Sequence, residues 1–231
     1  MATRLGRRRY HHGNLREALI SAARRLIAER GPAGFTLVEA ARLAGVSPAA
    51  PYRHFADRDA LLAEVAQRGF DEFNRRLAAA WQAAEQDPGA AFLQMGQAYL
   101  AFARDEPGYY SAMFAVRALA TSKRSAHRKA SFVALETAIA QVAAGSHKNV
   151  DPRPLAYQVW ALSHGLATLA AAGQLPTRDA RLKSGALLQD GVHALVSGAS
   201  SPGRSGEPAP GHRGADRPKR RATAADRPRA E

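Results

Sequence analysis

The sequence predicts an all-α fold: a small N-terminal helix-turn-helix unit followed by a longer helical bundle. Three observations carry this. Apolar residues from Leu15 to Val196 recur at helical spacing, and no alternating strand pattern of useful length interrupts them. Helix-start signals stand ahead of the apolar runs: Asn14 with Glu17, Thr36 with Glu39, Asp57, Asp87-Pro88 and Thr177. The 231 residues are 46% hydrophobic, enough for a real core, and contain no cysteine. The last point excludes a disulfide framework, a thiol nucleophile and a thiolate metal site, and it suits a reducing cytoplasm.

The elements follow in order. A first helix opens at Asn14, buries Leu15, Leu19, Ala22, Leu26 and Ile27, and stops at Gly31-Pro32. Thr36 opens a short helix through Ala44, and Gly45-Val46-Ser47 turns the chain. Ser47 caps the next short helix, with Pro48 at its first position, and that helix ends near His54-Phe55. Asp57 caps a long helix to about Gln86, roughly 45 Å at 1.5 Å per residue. Further helices are expected over 88–104, 107–119, 122–144, 154–172 and, capped by Thr177, on to Val196.

The net charge of +13 points to polyanionic partners, but its distribution says more than its total. Only five of the 33 basic residues are lysine, a bias that GC-rich coding alone produces. Residues 1–13 form a basic arm with Arg4, Arg7, Arg8 and Arg9 and no acid, expected to be disordered. Residues 197–231 hold no aliphatic or aromatic residue larger than alanine, apart from proline, and should be a disordered basic tail. That tail reads either as inert or as a sequence-independent tether to DNA. Tyr10-His11-His12-Gly13-Asn14 stands where a secretory signal would need its apolar run. The uncharged stretch 154–177 contains Gln158, Ser163, His164 and Gln174, so it reads as a buried bundle helix and no membrane contact is expected.

The segment 36–55 carries the functional signal. Two short helices around a glycine turn make a helix-turn-helix unit over residues 14–62. Ala41, four residues before Gly45, lets the helices approach, and Val46 plugs the turn. The second helix projects Ser47, Ala49, Ala50, Tyr52, Arg53 and His54, and a helix end fits a major groove about 12 Å wide.

Here the sequence resembles the TetR/AcrR family of bacterial transcription regulators, and within it the subgroup with a WHG-type C-terminal domain. Three stretches carry the resemblance: Tyr10-His11-His12-Gly13-Asn14-Leu15-Arg16, Gly45 through Phe55 with Asp57-Arg58-Asp59, and Trp160 with His164-Gly165. The resemblance implies a homodimer over a palindromic DNA operator, with recognition helices about 34–36 Å apart. It implies a body, residues 63–196, that holds a small effector and pairs through its last two helices. It also implies repression relieved by ligand. Tyr52 and His54 then match the family's phosphate contacts, and Thr36 and Arg58 at helix N-termini should act likewise. Ser47, Ala49 and Ala50 face base edges, where alanines read only thymine methyls or shape. Arg53 and the Arg7, Arg8, Arg9 arm then carry specificity, the arm in a minor groove.

In the body, Phe92, Met95, Tyr99 and Phe102 share one helical face, Met113 and Phe114 cluster in the next segment with Tyr109 and Tyr110, and Trp160 and His164 lie one turn apart. These residues read either as packed core or as the wall of a pocket for an apolar ligand. His164 reads either as a satisfied buried histidine or as the ligand's polar contact. A di-metal bundle enzyme is disfavoured because no glutamate has a histidine three residues later, and no catalytic or nucleotide-binding motif occurs, so no cofactor or metal is expected. A non-specific architectural DNA binder would use the basic ends but leaves the aromatic body unexplained. The expected setting is the cytoplasm, at the nucleoid.

Overall fold

Thr36, Asp57, Asp87 and Asp151 each cap the helix that follows with a short polar side chain. The structure is a computed structural model and describes residues 15–115, 122–145, 151–176 and 178–198. The Arg7–Arg9 arm, the Asn14 and Thr177 caps and the tail from 199 lie outside them. Among the described residues there are eight α-helices and no strand. α1 (Leu15–Arg30) ends before Gly31. α2 (Leu37–Leu43) carries the complete capping box: Thr36 Oγ1 accepts the Glu39 amide at 3.2 Å, and the Thr36 amide donates to Glu39 Oε2 at 2.9 Å. Gly45 follows in the left-handed region at φ +73°, which a side chain would disfavour. α3 (Arg58–Gln82) starts where Asp57 accepts the Ala60 amide at 2.7 Å. α4 (Pro88–Asp105) starts on Asp87, α5 (Pro107–Ala115) on proline, and α6 (Ser122–Gly145) runs as expected.

Three boundaries differ from expectation. α3 stops at Gln82, because residues 83–86 form the turn that delivers Asp87; 25 residues give about 37 Å rather than 45 Å. α7 (Pro152–Ala171) starts two residues early, since Asp151 accepts the Arg153 amide. α8 (Ser184–Gly198) starts well after 177. Asp179 instead caps a 3₁₀ turn, Ala180–Leu182, and Lys183 is extended at φ −67°, ψ 143°, which breaks the helix until Ser184.

Two apolar clusters organise the chain. The first joins α1, α2 and the start of α3 through Leu19, Ile20, Ile27, Leu61 and Val65. The second joins the rest of α3 to α4, α6, α7 and α8 through Phe73, Phe102, Ile139 and Val159. Each fully buried large side chain contributes about 1.5–3 kcal/mol. The boundary expected near Leu62 falls inside α3, one unbroken helix serving both clusters. α5 also serves both: Ala112 belongs to the first, Met113 to the second, and Tyr109 packs against each. Its contact with α1 is close because residue 108 is glycine. A Cβ there would stand 2.2 Å from the Arg24 carbonyl oxygen. Arg24 also pairs with Glu106 and lies 5.1 Å over the Tyr109 ring.

Candidate nucleic-acid interface and ligand cavity

The segment after Gly45 does not form the expected α-helix from Pro48. It makes a four-residue 3₁₀ helix, Ala50–Arg53, with Ala49 at the cap position and no side-chain cap from Ser47. The reason is Pro51. An α-helix starting at Pro48 would need the residue 51 N–H to reach the Ser47 carbonyl, and proline has none. The Ala50 amide takes that carbonyl instead at 3.0 Å, in 3₁₀ fashion, and His54 and Phe55 both donate to the Pro51 carbonyl at 2.9 Å.

This turn is anchored from below and bare above. Pro51 and Phe55 are buried, and Arg16 lies over the Phe55 ring at 5.5 Å. Ser47, Ala49, Arg53 and His54 are exposed, Tyr52 is 59% exposed, and Ala50 is half-buried. The predicted contact residues of this segment are therefore open to solvent, Ala50 only in part. The charge pattern sharpens this. Arg16 pairs with Glu64, Arg24 with Glu106, Arg25 with Glu29, Arg30 with Glu39 and Arg68 with Glu17. Of the described arginines up to residue 58, only Arg42 and Arg53 have no acidic partner, and both are exposed. Arg42 was not singled out from sequence. Its position in the last turn of a short helix looks like an ordinary dipole partner.

Two expected phosphate contacts are otherwise engaged. Arg58 Nε donates to the Phe35 carbonyl at 3.0 Å, Nη2 donates to the Pro32 carbonyl, and Nη1 meets Asp59 at 2.7 Å. Its guanidinium also covers the Phe35 ring at 4.9 Å. It staples the start of α3 to the loop before α2, so the geometry gives it a positioning role. The Thr36 hydroxyl and amide both reach Glu39 Oε2, at 3.0 and 2.9 Å. Hydrogen bonds from Thr36 and then the Arg30 partnership hold the Glu39 carboxyl below its usual range. A phosphate would have to displace that carboxylate to reach Thr36.

The body encloses a cavity of about 590 Å³, lined by residues of α3 to α8. Phe92, Met95, Tyr99, Phe114 and Trp160 stand in its wall. Phe102, Met113 and His164 do not: Phe102 is fully buried behind Phe73, and Met113 packs over Gly69. His164 is held from behind. Tyr110 Oη lies 2.8 Å and Tyr99 Oη 3.3 Å from its Nδ1, with the two hydroxyls 3.2 Å apart. His164 is thus a half-buried histidine whose Nδ1 faces two tyrosine hydroxyls, outside the lining of the cavity. Burial pushes its pKa down, raises that of Tyr99, and pushes Tyr110 up to about 12. Helical spacing identified an apolar face here without separating wall from backing. It also missed Phe70, Phe73 and Leu77 of α3, Phe132 of α6, and Leu188 and Val192 of α8, which complete the cavity. Their signal was present in the apolar stripe of the long helix, where it read as plain core.

Among the described residues, no helix is long and apolar enough to cross a membrane, and no group of three His, Cys, Asp or Glu side chains is placed to hold a metal.

Comparison with known proteins places both halves. The model described as "Bacterial regulatory proteins, tetR family" matches residues 19–65, and "Tetracyclin repressor-like, C-terminal domain" matches residues 92–195. A solved protein of unknown function from Rhodococcus sp. RHA1 is 30% identical, with a TM-score of 0.71, covering 84% of this chain and 100% of that one. AibR, solved in complex with isovaleryl coenzyme A and operator DNA, shares the fold at 20% identity and a TM-score of 0.60, covering 81% and 99%. The uncharacterized HTH-type transcriptional regulator YobS of Bacillus subtilis (strain 168) is 29% identical over 100 residues, 43% of this chain and about half (51%) of that relative's length. Two consecutive family models on an all-helical scaffold, one on the helix-turn-helix head and one on the body, mark a DNA-binding transcriptional regulator rather than an enzyme: the chain belongs to the TetR family of bacterial regulatory proteins.

Proposed function

We propose that the chain is a sequence-specific repressor that binds a palindromic operator as a homodimer and releases it when a small, largely apolar ligand enters the body. The observation that carries this reading is the segment 47–54: an unpaired Arg53 beside exposed Tyr52 and His54, on a turn fixed from beneath by Pro51 and Phe55. Arg53 reads a base edge, Tyr52 and His54 hold phosphates, Ser47, Ala49 and Ala50 give close approach, and the Arg7–Arg9 arm reaches the minor groove. Thr36 and Arg58 are better assigned to building the surface than to touching DNA. Arg42 joins as a backbone contact. Such a protein works at the nucleoid.

Pairing would use α7 and α8. They pack on each other through Leu162 and Gly191 and leave small residues and a 40% exposed Leu169 outward, a face suited to a second copy. Release requires a ligand that prefers the non-binding state. α5 offers the route. Phe114 stands in the cavity wall, while Gly108 on the same helix sits against the backbone of α1. AibR was solved with an acyl coenzyme A and operator DNA, which supports a ligand-and-operator pair for this fold.

Selection of bound sites from random duplexes tests the reading. The expected product is an inverted repeat with half-sites about one helical turn apart. Equal retention of all duplexes at moderate salt, or a strict monomer, would overturn it in favour of an architectural binder.

A further inference from the structure

We propose that the cavity takes an amphipathic anion, its apolar body among the aromatic rings and its acidic head against Lys129. The inference rests on the ligand-responsive reading above and adds the chemistry of the ligand. The wall is mostly apolar, and at about 590 Å³ its volume fits a small organic molecule. Three charged side chains belong to the lining: Lys129, Glu136 and Arg153. Glu136 is neutralised in place, since Arg153 Nε stands 3.8 Å from its Oε1. Lys129 is exposed and has no acidic partner among the described residues. The rim therefore offers one uncommitted positive charge.

The remaining polar lining, Gln97, Ser131, Tyr157, Ser163 and Gln189, is neutral. A cationic ligand would meet Lys129 and find Glu136 taken. A neutral ligand would leave Lys129 unused. An anion pairs with Lys129. Two sources present this chemistry: a free carboxylic acid, and an acyl thioester whose carrier bears phosphates.

Four probes of one chain length decide the matter: decanoate, decanoyl coenzyme A, decanol and decyltrimethylammonium. Each is titrated into the full-length W81F protein, in which Trp160 of the cavity wall is the remaining tryptophan reporter. The expected result is that one of the two anions binds about fivefold to tenfold tighter than decanol, with the ammonium weakest. K129Q should remove that advantage while leaving decanol affinity and operator binding unchanged, and K129R should restore it. The order of decanoate and its thioester identifies the source. Equal or tighter binding of decanol or of the ammonium overturns the charge assignment while leaving the cavity as a ligand site, and so does an anion preference that K129Q does not touch. Absence of binding by all four, with operator binding intact, overturns the ligand reading itself together with this inference.

Discussion

Arg53 and Arg58 lie five residues apart and do opposite work, and their partners say which. Arg58 has committed its guanidinium to two backbone carbonyls, Asp59 and the Phe35 ring. Arg53 is exposed and has none of these. Arg53→Ala should therefore leave thermal stability unchanged and cost about 1–3 kcal/mol of preference for the selected operator over random DNA, read by competition binding. Equal losses on both DNAs would make it a phosphate contact. Arg58→Ala should instead destabilise the fold by about 1–3 kcal/mol in urea denaturation, while the folded protein keeps its ratio of specific to random binding. Lysine should not rescue it, because a single ammonium cannot reproduce the fork that spans the Phe35 and Pro32 carbonyls. An Arg58→Ala protein of normal stability and reduced DNA affinity would return Arg58 to the interface.

At the scale of the element, contact geometry makes Gly108 the most constrained residue of α5. Its hydrogen faces the Arg24 carbonyl, and a methyl there would need more than half an ångström that the α1 backbone does not offer. Gly108→Ala should separate α5 from α1, cost about 1–3 kcal/mol, and weaken operator binding through the head's position; unchanged melting would show that the two helices slide freely. Along α3, hydrogen bonds from Arg75 and then Arg76 hold the Glu72 carboxyl at about 2, against 4.5 in the unfolded chain. The folded value is the lower one, so this contribution is complete above about 4.5 and vanishes as pH falls towards 2. Glu72→Gln should flatten the melting temperature over that window, and parallel curves for the two proteins would show that the pair is solvated away. These elements also show what sequence discloses. The starts at Thr36, Asp57 and Asp87 were legible because a cap and its amide lie within three residues. The Pro51 turn was half legible: a proline there plainly lacks the N–H that an α-helix from Pro48 would use, but the conversion of the whole segment to 3₁₀ does not follow from that alone. The late start of α8 was hidden because Asp179 and Thr177 offer equivalent local signals. Wall and backing in the body could not be separated, since Phe102 and Tyr99 share a helical face and only the packing of α3 and α7 decides which of them meets the cavity.

Across the whole molecule, the hydroxyls of Tyr99 and Tyr110 and the ring of His164 tie three helices, α4, α5 and α7, at one point. Tyr99 is itself part of the wall, Phe114 of the wall packs on the His164 ring, and Tyr110 belongs to the helix that reaches α1. On the proposed reading, a ligand pressing on the wall would act on the same helix that packs against α1. The knot also sets a proton condition. Nδ1 can accept from Tyr110 only in a neutral imidazole whose proton sits on Nε2, and burial favours the neutral form by lowering the His164 pKa. The folded value lies below the unfolded value of about 6.5. The unfolded chain therefore takes up the proton first, and stability from this site is complete above about 6.5 and declines as pH falls below it. His164→Phe removes both the acceptor and the titration. It should make stability between pH of about 7 and 5 less steep than in the native protein, leave operator binding without ligand intact, and shift the ligand concentration needed for release. Denaturation profiles that fall equally steeply for both proteins would show that His164 titrates freely and that the knot carries no coupling between the cavity and α5.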